Sequence, residues 1–160
     1  MSDPSTHRLQ SVSFDEQSLG AVSRDQEQER QVAVFDLLEQ NHFAPEGASG
    51  GPYDLALSLI DGRLAMDIVG PGYAHRFMLS MSALRGTIKD YFIVCESYYQ
   101  AIRNATPHQI EALDMSRRSL HNEGSALLIE RLNGKIAIDM PTSRRLFTLI
   151  CALHRRSAAL

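Results

Sequence analysis

The chain has 160 residues, 44% of them hydrophobic, and a formal net charge of −3 at pH 7. This length suits one compact domain with its own core and is too short for two ordinary domains. We therefore predict a single domain over residues 8–156, with disordered tails at 1–7 and 157–160. The slightly acidic balance argues against a general nucleic-acid coat, although it permits a local arginine patch.

The longest mostly apolar run, at residues 146–153, is far shorter than the roughly 18 residues that a membrane-spanning helix needs. We predict no membrane span, and the polar first residues predict neither a secretory signal nor a transit peptide. Cys95 and Cys151 lie among apolar residues and lack the spacing of a disulfide framework or a zinc site. We expect two small buried side chains in a cytoplasmic, reducing compartment.

The two halves of the chain differ in charge. Residues 1–80 hold 5 basic and 12 acidic side chains, whereas residues 81–160 hold 11 and 7. Only Lys89 and Lys135 among the basic residues are lysine, and arginine is the better side chain for forked contacts with carboxylate or phosphate groups. The asymmetry fits either attraction between the two halves or an arginine-based site for an anionic partner.

The first elements in chain order are a strand, a helix and a loop. Alternating apolar residues predict a short strand at residues 9–14. A capping box that starts at Ser23 predicts a helix that ends near Asn41. The Gly- and Pro-rich stretch at residues 43–52 predicts a loop without regular structure.

Residues 53–69 give two independent signals for one hairpin. Asp61-Gly62 predicts a two-residue type I′ turn, and the flanking residues alternate in polarity. The turn predicts three inward-facing pairs, which are Leu55–Ile68, Leu57–Met66 and Leu59–Leu64. All three fall on one face, so turn and alternation agree on the register. A third strand at residues 73–79 completes a predicted antiparallel meander.

The second half of the chain is mostly helical in pattern. Apolar spacing predicts a long helix over residues 82–103, and a capping box at Thr106 predicts another over residues 106–131, adjacent and antiparallel to the first. Residues 135–139 predict a short edge strand, and Thr142 predicts the cap of a last helix. The whole pattern predicts an α+β fold in which a small antiparallel sheet is packed by about four helices.

The second long helix carries a polar stripe along its apolar side. The stripe consists of Asp114, Arg117, His121 and Ser125. Their spacings of three, four and four residues place them on one face. Arg117 and Gly124 stand in the middle of the apolar arc. A guanidinium on such a seam must be paired, because an unpaired buried charge is very costly.

Three interpretations of the stripe are open. In the structural one, Asp114 and Arg117 satisfy each other and Gly124 lets a neighbouring element come close. In the functional one, the stripe faces a pocket in which Arg117 and Arg118 hold an anionic group and His121 exchanges a proton near neutral pH. In the third, the helix breaks at Gly124 and leaves an elbow.

Arg144 and Arg145 stand in the first turn of the last helix, where the helix dipole disfavours positive charge. Their compensation comes either from Asp139 or another acidic residue, or from a phosphate or carboxylate held by both guanidiniums and the free amides after Thr142. If Arg117 lies nearby, one pocket explains both features. The histidines and carboxylates lack the spacing of a metal site, and we predict neither a metal nor a cofactor.

Several distinctive stretches lie across the chain: RDQEQER (24–30), FAPEG (43–47), GGPY (50–53), IKDYF (88–92), CESYYQAIR (95–103), RRSLHNEG (117–124) and RRLFTLICALH (144–154). Together they resemble an uncharacterised bacterial protein family of the UPF series, number 0262. The resemblance covers nearly the whole chain. It implies a bacterial cytoplasmic protein and brings no catalytic or binding residues to carry over.

These observations favour a non-enzymatic binding or regulatory module. Its predicted ligand-binding residues are Arg117, Arg118, Thr142, Arg144 and Arg145. Its partner would be a phosphate-bearing small molecule, a nucleic-acid backbone or an acidic protein. One alternative is a small hydrolase or transferase with Arg117 as anion clamp, in which His121 is the acid or base. Glu123 or Asp114 would then orient the imidazole. Another alternative is an interaction or assembly protein, and the oligomeric state stays open.

Overall fold

A computed structural model describes residues 6–20 and 22–159 of the chain, with side chains up to residue 154. The predicted α+β class is confirmed, and the described elements are β1 (Leu9–Phe14), α1 (Glu16–Leu19), α2 (Arg24–Glu39), β2 (Phe43–Pro45), β3 (Tyr53–Ile60), β4 (Arg63–Gly70), β5 (Tyr73–Ser80), α3 (Ser82–Asn104), α4 (Pro107–Leu132), β6 (Ile136–Ile138) and α5 (Met140–Ala159). Of the predicted disordered tails, residues 1–5 and 160 lie outside the described residues, whereas His7 contacts the Tyr53 hydroxyl and residues 157–159 belong to α5. The domain bounds stay a prediction.

The hairpin of β3 and β4 has the predicted register. Leu57 pairs with Met66, Leu55 with Ile68 and Leu59 with Leu64. Asp61 and Gly62 have positive φ angles of 53° and 74°, as a type I′ turn requires. β5 pairs with β4 and completes the predicted meander. β1 adds to the other edge of β3 as a parallel strand, so the sheet is mixed and its order is β1-β3-β4-β5.

The stretch at residues 43–52 is not wholly irregular, so that prediction is wrong. It contains β2, which pairs with β6 in a separate antiparallel sheet. Three residues are too few for alternation to reveal a strand, and Pro45 is tolerated where a strand ends at a sheet edge.

The prediction that Thr142 caps the last helix is also wrong. The Asp139 carboxylate accepts the backbone N–H of Thr142 at 3.0 Å, which is the bond that an N-cap residue makes to the third helical residue. Met140 therefore already begins α5. The Thr142 hydroxyl instead accepts the backbone N–H of His42 at 2.8 Å and ties α5 to the segment before β2.

Helix α4 continues across Gly124 to Leu132, so the alternative of an elbow is wrong. It begins at the predicted capping box, in which Thr106 and Gln109 bond each other's backbone N–H groups. α3 packs along it as predicted, and α5 packs against it as well. A Cβ on Gly124 would lie 2.3 Å from Cζ of Phe147 on α5. The glycine therefore permits the close approach that the structural interpretation expected.

The core lies between the four-stranded sheet and the long helices. Its fully buried side chains include Leu37, Leu57, Met66, Leu128 and Phe147. The buried residues of α4 begin only at Gly124 and continue to Leu132. The N-terminal half of α4 is thus left to carry polar groups. Within the described residues, none of the helices combines the length and the apolar character of a membrane span.

Replacing Gly124 with alanine should destabilise the protein, because the added methyl group meets the buried ring of Phe147. We expect the free energy of unfolding to fall by about 1–3 kcal/mol, the usual cost of overpacking a tight core. Urea unfolding followed by circular dichroism measures it. The matched control is Gly86→Ala in α3, where nothing lies within 4 Å of the new Cβ. Alanine there should stabilise by about 0.5–1 kcal/mol. Equal effects of the two substitutions would contradict the assigned contact.

Candidate functional site

Helices α3, α4 and α5 surround a shallow cavity of about 410 Å³ at the polar stripe. We call it the α4 pocket, and it is lined by Tyr91, Arg117, Arg118, His121, Asn122 and Thr148. Four of these residues come from α4, because positions three and four apart share one helix face. Tyr91 comes from α3 and Thr148 from α5. Two of the four residues of the stripe, Arg117 and His121, therefore line a cavity.

Asp114 binds both arginines of the stripe. Its Oδ1 lies 2.5 Å from Nη2 of Arg117, and its Oδ2 lies 2.9 Å from Nη2 of Arg118. The hydrogen bond from Arg117 lowers the pKa of Asp114 against the opposing effect of desolvation, and the positive charges of Arg118 and Arg117 lower it further. The Arg117 guanidinium also lies over the ring of Tyr98, 4.9 Å from its centroid. One carboxylate thus serves two guanidiniums.

His121 is held between two aromatic rings and a hydroxyl. Its ring makes edge contacts with Phe147 and Tyr91, with centroids 5.2 Å and 5.4 Å away. Its Nε2 lies 2.8 Å from Oγ1 of Thr148. Because the Thr148 hydroxyl donates its proton to the carbonyl of Arg144 at 3.0 Å, Nε2 must donate to Thr148. The neutral imidazole therefore keeps Nδ1 as an acceptor.

Burial lowers the pKa of His121, and the positive charges of Arg144 and Arg117 lower it further. The charged form is disfavoured both by loss of water and by like charge nearby. His121 is therefore neutral at neutral pH. The contributions of Arg144 and Arg117 to this shift indicate positive charge close to the His121 ring.

Arg144 lies beside the α4 pocket, whereas Arg145 does not. Nε of Arg144 donates to Oδ1 of Asn122 at 3.1 Å. Arg145 donates to the backbone carbonyl of Gln40, just past the C-terminus of α2, where positive charge is favourable. Among the described side chains, neither arginine pairs with Asp139 or another carboxylate. The predicted ligand-binding set therefore divides, with Arg117, Arg118 and Arg144 together at the pocket and the buried Thr142 with Arg145 elsewhere.

The residues predicted for an enzyme do not converge in the same way. Glu123 is exposed on α4 and is not part of the α4 pocket. Asp114 is engaged by two guanidiniums. Within the described residues, the hydrogen-bond partner of the His121 ring is Thr148, and no carboxylate lies within bonding distance of it. The arrangement lacks the carboxylate that would stabilise an imidazolium during proton transfer.

A second, larger cavity was not predicted from the sequence. We call it the α3 cavity; it measures about 540 Å³, and Tyr91, Phe92, Cys95, Thr148, Cys151 and Ala152 contribute to its wall. It shares Tyr91 and Thr148 with the α4 pocket. In the sequence, Tyr91 and Cys95 had the spacing of a core seam, and nothing distinguished a seam that is covered from one that borders a cavity.

A family model described as "Uncharacterised protein family (UPF0262)" matches residues 6–156 of the chain. A UPF0262 protein of Phenylobacterium zucineum is 69% identical over 150 residues, which cover 94% of each chain. A UPF0262 protein of Caulobacter vibrioides is 66% identical with the same coverage. One of Hyphomonas neptunium is 59% identical over 92% of this chain and 93% of its own length. No solved structure matches the chain.

Two substitutions of Arg117 separate packing from charge. Methionine keeps an apolar stem against Tyr98 and loses the ion pair, whereas alanine loses both. We expect Arg117→Ala to lower the free energy of unfolding by roughly 1 kcal/mol more than Arg117→Met does. Urea unfolding measures both, with Arg63→Ala in the exposed hairpin as the control. Equal losses in the two variants would show that the stem contributes no packing.

Proposed function

This chain belongs to the uncharacterised protein family UPF0262, and we propose that it is a binding or regulatory module whose α4 pocket holds a phosphate-bearing small molecule. The observation that carries the proposal is the balance of charge around the pocket. Arg117 and Arg118 share a single carboxylate, and Arg144 contacts the neutral amide of Asn122. Three positive charges are thus matched by one negative charge among the described side chains.

The guanidiniums differ in how they would meet a ligand. Arg117 is held in place by Asp114 and Tyr98, and its side chain stays about one-third exposed. Its guanidinium is therefore a positioned cation at the pocket surface. The Arg118 side chain is 73% exposed and touches Asp114 at one nitrogen, so the rest of its guanidinium can reach a bound anion from solvent. Guanidinium forks match the paired oxygens of a phosphate group and form strong charge-assisted hydrogen bonds with it.

A small ligand is favoured over the two macromolecular partners. The site is concave and of a size usual for small-molecule sites, and the chain as a whole is acidic, which opposes long contacts with a nucleic-acid backbone. His121 without a carboxylate partner favours binding over hydrolysis. We propose the cytoplasm as the location, since neither Cys95 nor Cys151 forms a disulfide among the described residues, as expected of thiols in a reducing compartment.

Inorganic phosphate should bind the full chain, and the binding should weaken when the exposed guanidinium of Arg118 or of Arg144 is removed. We expect Arg118→Ala and Arg144→Ala each to raise Kd about tenfold, because each loses a hydrogen bond to a charged group. Isothermal titration calorimetry at two salt concentrations measures this, and added salt should weaken binding in all variants. Arg63→Ala, outside the pocket, is the control and should leave Kd unchanged. No binding of phosphate, or equal affinity in all four proteins, would overturn the proposed function.

Sulfate binding should strengthen as pH falls below the ordinary pKa of histidine. An anion beside His121 favours the imidazolium, so the bound form takes up a proton that the free form lacks, and the affinity rises on acidification. Sulfate keeps its charge in this range, so the titrating group belongs to the protein. Above about pH 7.5 the affinity should be flat, since the histidine is neutral in both forms. His121→Gln should remove the dependence; an unchanged slope in that variant would place the titrating group elsewhere.

A further inference from the structure

The α3 cavity and the α4 pocket are neighbours with a shared wall. Tyr91 and Thr148 line both, so the two cavities adjoin at these side chains. The α3 cavity, at about 540 Å³, lies within the size range of sites that hold small organic ligands. A ligand that occupied both would cross from one to the other beside Tyr91 and Thr148.

The two ends of this combined space have opposite character. Phe92 and Cys95 of α3 and Cys151 and Ala152 of α5 form the weakly polar part of the wall of the α3 cavity. Cys151 is 4% exposed, and burial raises the pKa of its thiol, so it remains an uncharged, weakly polar group. The α4 pocket, in contrast, presents guanidiniums and an amide. An apolar group and an anionic group would each find a matching end.

Charge also fixes the direction in which such a ligand lies. Glu29 and Glu96 are exposed at the edge of the α3 cavity, together with Lys89. The α3 cavity thus carries two carboxylates and one ammonium group, whereas the α4 pocket carries Arg117 and Arg118, so an anionic head group is favoured at the α4 pocket. The head therefore belongs in the α4 pocket and the tail in the α3 cavity.

We infer that the ligand of the α4 pocket is a phosphate monoester of an apolar alcohol, whose hydrocarbon part lies in the α3 cavity against Phe92, Cys95 and Ala152. This inference rests on the proposed function, because the α4 pocket supplies the head-group site. It adds the class of molecule that carries the phosphate. Hydrocarbon in this cavity is removed from water, and each buried methylene strengthens binding.

A homologous series tests the tail. Butyl, hexyl and octyl phosphate are titrated into the full chain by calorimetry, with inorganic phosphate as the head-group reference. Each added methylene should raise the affinity about threefold to fourfold while the tail remains inside the cavity. Equal affinity across the series would overturn the inference and leave the proposed function standing. Absence of binding by inorganic phosphate and by all three esters would overturn both.

A cavity-filling variant locates the tail. Ala152→Leu places extra carbons in the α3 cavity and should weaken octyl phosphate at least about tenfold while inorganic phosphate binds as before. Ala126→Leu, at an exposed position of α4 outside both cavities, is the matched control and should change neither affinity. Unchanged octyl phosphate binding in a folded Ala152→Leu protein would overturn the inference.

Alkylation of Cys95 gives a readout that needs no variant. Iodoacetamide modification is followed at Cys95 by mass spectrometry in the free protein and with saturating octyl phosphate or inorganic phosphate. Octyl phosphate should slow the modification several-fold, because the tail covers the thiol, and inorganic phosphate should not. An equal rate with both ligands would contradict a tail in the α3 cavity.

Discussion

The contact between Gly124 and the ring of Phe147 governs how closely α4 and α5 approach. A side chain at position 124 would occupy the volume of that ring. Three links between the helices depend on this spacing. They are Ser143 to the Ser125 carbonyl at 2.6 Å, His121 to Thr148 at 2.8 Å, and Arg144 to Asn122 at 3.1 Å. The donor–acceptor distance of a hydrogen bond can vary by only a few tenths of an ångström. The glycine therefore fixes the geometry of the α4 pocket without lining it.

The same contact divides α4 into two parts with different tasks. From Gly124 onward the helix buries residues such as Leu128 and joins the core. Before Gly124 the helix cannot join the core, because Asp114 and Arg117 occupy the face that packs against the neighbouring helices. Burying these charges completely would cost more than their attraction returns, so the structure leaves Arg117 about one-third exposed and pairs it. A polar groove beside a packed core follows from this compromise.

Local sequence signals predicted the elements wherever two of them agreed. The type I′ turn and the strand alternation each required the pairing of Leu57 with Met66, which is observed. A single signal was weaker, as Thr142 shows: it has the right chemistry for a cap, but Asp139 one turn earlier takes that role. For the site, spacing alone placed Arg117 and His121 on one face of α4. Tyr91 and Thr148 were not predicted, because the helix that packs opposite a given face is decided by tertiary packing and not by periodicity.

The hydrogen-bond chain through His121 bears on what the site can do. The Thr148 hydroxyl gives its proton to the Arg144 carbonyl, so it can only accept from Nε2. Burial and two nearby guanidiniums make a second proton on the ring unfavourable, and the described residues place no carboxylate beside it to offset that cost. A histidine in this setting is a poor general base, yet its free Nδ1 is a directional acceptor for a hydroxyl such as that of a singly protonated phosphate. This geometry supports the proposal that the α4 pocket binds an anionic ligand.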